Sequence, residues 1–140
     1  AGIWGPKVGR MAGVPIPLAP VEHQFLWTAP MPVFRGEARE IAYPILRHQD
    51  RDLYMRHRRD HFAVGSYAHD PVVVETEAIR AHGVPDGMPA SNPFDADTFA
   101  PAWEDGCRLL PFLRDAAPGE ALNGMFSFTP DGFPLIGESQ

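Results

Sequence analysis

His23 carries the most usable chemistry in the 140-residue chain. An imidazole has an unperturbed pKa near 6.5, so at neutral pH it can take up a proton and act as a general base. Its position leaves a second reading open. Val21, His23, Phe25 and Trp27 alternate within Val-Glu-His-Gln-Phe-Leu-Trp-Thr, residues 21–28. In a strand those four share a face, and a semi-buried histidine bonded to a backbone carbonyl is the commoner outcome there.

A second cluster runs from Arg47 to His61, with Arg47, His48, Asp50, Arg51, Asp52, Arg56, His57, Arg58, Arg59, Asp60 and His61. His57, Asp60 and His61 have the i, i+3, i+4 spacing that converges on a metal when it lies on a helix. On strands it does not converge, and the mixed signs read as a solvated hairpin end. Tyr54 falls in the apolar centre of this hairpin, where a phenol normally finds one hydrogen-bond partner. Cys107 is the only cysteine. It excludes an internal disulfide, is too few for a thiolate metal site, and reads as a core residue. No G-x-G-x-x-G turn and no G-x-S-x-G elbow occurs.

Short elements must position these residues. Residues 1–14 have helical spacing at Ile3, Val8, Met11 and Ala12, with Gly13 as a stop. Residues 21–28 read as a strand, 29–40 as a loop, and 43–48 as a short strand made edge-like by Pro44. Residues 52–57 and 61–68 flank the turn Arg58-Arg59-Asp60 as a hairpin. Residues 70–94 are broken by Pro71, Pro85, Pro89 and Pro93. The best helix is 97–110. Asp95 or Asp97 caps it, Pro101 falls in its first turn, and Pro111 ends it. Its packed face holds Phe99, Trp103, Gly106, Cys107 and Leu110. Residues 122–128 read as a strand before the turn Thr129-Pro-Asp-Gly132. The resulting fold class is α+β, an antiparallel sheet with one main helix on a face.

Composition narrows the function. Sixteen prolines and 13 glycines exclude a helical bundle, and no apolar run is long enough for a transmembrane helix. A net charge of -6 with pI near 5.4 disfavours a nucleic-acid or anionic-membrane binder. A phosphate contact through Arg56, Arg58 and Arg59 is a weak alternative. The chain starts at Ala1 with no signal-peptide pattern. It reads as one partial domain, residues 1–140, of a longer cytoplasmic protein.

Six blocks carry a resemblance: Ala1-Gly-Ile-Trp4; Pro17-Leu-Ala-Pro-Val-Glu-His-Gln24; Ile45-Leu-Arg-His-Gln-Asp-Arg-Asp-Leu-Tyr54; Gly65-Ser-Tyr-Ala-His69; Phe99-Ala-Pro-Ala-Trp103; and Asn123-Gly-Met-Phe-Ser-Phe-Thr-Pro-Asp-Gly132 with Pro134-Leu-Ile-Gly-Glu-Ser139. In this order and spacing the sequence resembles dimethylglycine oxidase and the dimethylglycine and sarcosine dehydrogenases. These are flavoproteins of the D-amino-acid-oxidase superfamily. The resemblance implies the substrate side of a two-domain flavoprotein, with the nucleotide-binding part outside the chain.

The resemblance further implies FAD as cofactor of the full-length protein and a small N-methyl amine, of dimethylglycine or sarcosine type, as substrate. It assigns a catalytic His–Tyr pair beside the flavin to His23 and Tyr54, with Tyr54 also against the cofactor. The fragment alone is expected to hold no FAD and to be inactive. Where glycine and D-amino-acid oxidases carry a carboxylate-binding Arg, Phe126 stands here, so Arg47 and Arg56 become candidates for that task. A non-catalytic regulatory or binding module on the same scaffold is the alternative. An exposed apolar face is expected to make the isolated piece self-associate.

Overall fold

The computed structural model describes residues 2–81, 83 and 89–138. Ala1, Pro85 and Ser139, which enter the sequence reading, lie outside them. Six strands are present: β1 (Ala19–Thr28), β2 (Leu46–His48), β3 (Leu53–Arg58), β4 (His61–Ser66), β5 (Ser91–Asn92) and β6 (Pro118–Phe128). They form one sheet in the order β2-β3-β4-β1-β6-β5. The β2–β3, β3–β4 and β4–β1 pairs are antiparallel. Two α-helices among the described residues, α1 (Gly5–Ala12) and α2 (Ala96–Leu109), complete the α+β fold.

The chain divides into two compact units. One comprises residues 1–22, 71–92 and 124–140, the other residues 23–70 and 93–123. In the first, Pro6 stands at the start of α1, where its missing N–H is no loss. Gly13 closes the helix at φ 72°, a left-handed conformation natural to glycine. Ile3, Ile79 and Met125 form its buried cluster, with Trp4, Val74 and Ala90 packed against them.

The second unit holds the larger core and the chemistry-bearing residues. The period of two in β3 sends Leu53, Met55 and His57 to a buried face and leaves Tyr54, Arg56 and Arg58 on the other. In β1, Gln24, Leu26 and Thr28 join the buried face. Leu26, Leu53, Met55, Phe62 and Val64 pack with Phe99, Ala102 and Leu113. Each of these side chains larger than alanine contributes about 1.5–3 kcal/mol on burial. Trp103, Cys107 and Leu110 border this core, as the helical face required.

Asp95 caps α2, accepting from the N–H groups of Asp97 and Thr98 at 3.0 and 3.2 Å. Because the helix starts at Ala96, Pro101 lies in its second turn rather than its first. It removes the N–H that would reach the Asp97 carbonyl, and both residues are exposed, so water can serve that carbonyl. β2 is shorter than expected, starting at Leu46. Pro44 has no N–H for the ladder, which excludes the residues before Ile45. The β3–β4 turn forms where the polar residues placed it, with Arg59 at φ 55°. β6 starts four residues earlier than expected, at Pro118 rather than Leu122. Pro118 and Gly119 conceal that start, being poor strand formers.

Candidate functional site

The second unit brings His23 and Tyr54 together. Register explains how. Gly65 of β4 lies opposite Phe25 of β1 on one side and Tyr54 of β3 on the other. Alternation puts Phe25, Tyr54 and His23 on the sheet face away from the buried core. His23 is two residues before Phe25, so Tyr54 meets it on the diagonal across β4. His23 Nε2 and Tyr54 Oη are 2.5 Å apart. The Phe25 and Tyr54 rings stack at 5.6 Å and 15°.

Gln24 pairs with Ser66, so the next step of the ladder sets His23 against Tyr67. The two rings stack with centroids 3.9 Å apart and planes 13° from parallel. His23 is buried although its face of the sheet is partly open, because Tyr67 covers one side of the ring. Residue-type reasoning did not single out Tyr67. Its signal lay in the β1–β4 pairing, a long-range contact that local patterning does not carry.

The electrostatics follow from this packing. Burial, with the nearby His69 adding to it, lowers the His23 pKa to about 4. The Ser66 backbone, accepting from the imidazole, opposes both. A carbonyl only accepts, so the ring hydrogen belongs on the nitrogen away from Tyr54. The Nε2 lone pair is then left for the phenol. Burial, with Tyr67 adding to it, pushes the Tyr54 hydroxyl well above its ordinary value, while Arg47 and Arg56 pull it back. At neutral pH both groups are uncharged, and Tyr54 donates to His23.

Arg47 is the direct cross-strand partner of Tyr54, and Arg56 follows Tyr54 by two on the same face. The Arg56 guanidinium lies 5.2 Å from the centre of the Trp27 ring. Arg47 Nε donates to Gln49 at 2.8 Å. Neither arginine is ion-paired with a carboxylate among the described residues. His57 and His61 fall on opposite faces of their hairpin. The Ala42 N–H donates to His57 Nδ1 at 3.3 Å, while His61 Nδ1 bonds the Thr28 carbonyl at 2.8 Å. No metal-holding cluster occurs among the described residues. None of their helices is long and apolar enough to cross a membrane.

A neutral imidazole bonded to a phenol on an aromatic, arginine-flanked sheet face is a pair able to move a proton. The chain belongs to the family described as FAD dependent oxidoreductase, whose model matches residues 1–140. It is 32% identical over 142 residues to mitochondrial dimethylglycine dehydrogenase of Rattus norvegicus, covering all of this chain and 16% of that protein. It is also 32% identical over 140 residues to mitochondrial sarcosine dehydrogenase of Mus musculus, covering 99% of this chain and 14% of that protein. The chain therefore spans about a sixth of the length of these relatives. Its fold matches glycine oxidase from Geobacillus kaustophilus with a TM-score of 0.68 at 16% identity, over 99% of this chain and 31% of that one.

Proposed function

We propose that this chain is the substrate-binding part of an FAD-dependent enzyme that oxidises an N-methyl amino acid of dimethylglycine or sarcosine type. The observation that carries the reading is the 2.5 Å contact between His23 Nε2 and Tyr54 Oη on the open face of the sheet. The kinship with dimethylglycine and sarcosine dehydrogenases supports the substrate class.

An alkyl amine is protonated at neutral pH, and its nitrogen lone pair must be free before a carbon-bound hydride can leave. His23 and Tyr54 suit that task. Tyr54 Oη keeps lone pairs of its own while its hydrogen points to Nε2. An ammonium N–H aimed at Oη can pass its proton to the phenol as the phenol's proton passes to His23. The balance is one neutral amine and one imidazolium, with Tyr54 unchanged. Burial keeps the imidazole in its neutral, proton-accepting form across the physiological range, at the cost of making it a weaker base. Oxidation of the freed amine leaves an iminium product.

The residues present fit a flavin. The partly exposed rings of Phe25, Trp27 and Tyr54 offer a largely apolar surface, within which Phe25 and Tyr54 lie near parallel, and Tyr54 is the residue we assign to the cofactor. FAD, when bound, supplies the hydride acceptor; the protein supplies placement and proton handling. Arg47 and Arg56 are the side chains suited to the substrate carboxylate. We place the full-length protein in the cytoplasm, a reading that cell fractionation tests.

The experiment is amine oxidation by the full-length protein loaded with FAD. Replacing His23→Ala lowers the rate by about 10²–10⁴, the usual contribution of a general base. A variant that turns over dimethylglycine and sarcosine as fast as the parent would remove His23 from the mechanism.

A further inference from the structure

Gly65 is the residue on which the His23–Tyr54 contact depends, although it touches neither proton. Glycine weakens a strand interior, since it packs nothing and loses more freedom on folding than any other residue. It is usually retained where the backbone adopts a positive φ. Gly65 does not; it sits in ordinary extended conformation in the middle of β4, among the buried residues. Backbone freedom therefore does not explain it.

Space does. A Cβ built at position 65 would run into the Tyr54 ring, reaching Cε1 at 2.6 Å and Cζ and Oη closer still. Position 65 is opposite both Tyr54 and Phe25, in the strand that separates them. The bare backbone of Gly65 is thus the lane over which the phenol lies. Only by lying there does Tyr54 stack on Phe25 and bring its hydroxyl to Nε2 on a strand two places away. A side chain at 65 fills the lane. Tyr54 can yield by turning about its own χ1, but a turned phenol no longer reaches His23.

We infer that Gly65 is a positioning residue for the His23–Tyr54 pair, holding the phenol in place by leaving its path across β4 empty. The geometric claim stands by itself; its bearing on catalysis rests on the function proposed above.

The test uses the 140-residue chain and a four-way comparison of the parent, Gly65→Ala, Tyr54→Ala and the double variant. The readout is the ¹⁵N-NMR titration of the His23 imidazole. None of the substitutions replaces the other charged or titratable groups near the pair, His69, Tyr67, Arg47 and Arg56, and the contact of Tyr54 with Tyr67 that Tyr54→Ala removes is absent from both members of that background. A phenol donating to Nε2 favours the neutral ring, so its loss moves the His23 midpoint upward. Gly65→Ala is expected to raise that midpoint by at least half a pH unit and to remove the Nε2 hydrogen-bond signature. In the Tyr54→Ala background the same substitution is expected to shift nothing further. If Gly65→Ala unfolds the chain, the double variant is expected to fold, because the colliding ring is gone.

Three results overturn the inference: a parental midpoint and Nε2 signal in Gly65→Ala, an equal shift in both backgrounds, or a double variant that stays unfolded. A failed oxidation assay on the full-length protein would refute the redox reading while leaving the titration result intact.

Discussion

Acidification tests the burial of His23 most directly. The group titrates near 6.5 in an unfolded chain and at about 4 in the folded one. Between those values the unfolded chain binds the extra proton and the folded chain does not. Unfolding free energy therefore falls as pH drops through that window, and the contribution of this residue is flat above and below it. At about 1.4 kcal/mol per tenfold change in proton affinity, the loss from pH 7 to pH 4 is roughly 3 kcal/mol. With an m-value of about 1–3 kcal/mol/M, that moves a urea midpoint down by about 1–3 M. The assay is urea unfolding followed by circular dichroism at pH 7, 6, 5 and 4, for the parent and for His23→Gln. Other groups titrate in both proteins, so the difference between the two profiles isolates His23. The parent is expected to lose the additional stability over this range. Parallel profiles would show that His23 does not resist protonation in the fold, and the account of its burial would be wrong.

Two further outcomes follow. In the FAD-loaded full-length protein, Arg47→Gln or Arg56→Gln is expected to raise KM for an N-methyl amino acid about 10- to 100-fold, the value of a charged hydrogen bond. KM for a carboxylate-free amine such as dimethylamine should hardly move, and equal effects on both substrates would remove these arginines from carboxylate binding. The isolated chain is expected to self-associate, since Ile45 and Leu46 lie exposed and Phe25 and Trp27 half-exposed. Sedimentation velocity at rising concentration checks this, and a single monomeric species throughout would refute it.

Local rules reached far into this fold. Asp95, followed by a helical run and stopped by Pro111, announced α2, and the polar residues after His57 announced the β3–β4 turn. Period-two alternation already set His23, Phe25 and Trp27 on one face. What local rules did not carry was pairing between distant strands. β1 and β4 are separated by more than thirty residues in sequence, and only their register explains why Tyr67 stacks on His23 and why Gly65 is bare. Pro101 was misplaced by one turn because the start of a helix, rather than the presence of a proline, decides which N–H is lost. Of the site, residue types alone left His23 open between a general base and a semi-buried side chain, and Tyr54 as a structural phenol. The resemblance singled them out, and the cross-strand geometry supplies a physical reason for them to act as a pair.

Gln24 stands next to His23 in the chain and points to the opposite side of the sheet, where its side-chain oxygen accepts the Asp95 N–H at 2.7 Å. The backbone that aims the imidazole is thereby moored to the N-cap residue of α2. Random mutagenesis of the full-length protein for lost amine oxidation should accordingly return changes on the hidden side of the sheet, at Gln24 and around Asp95, on the face opposite the proposed site.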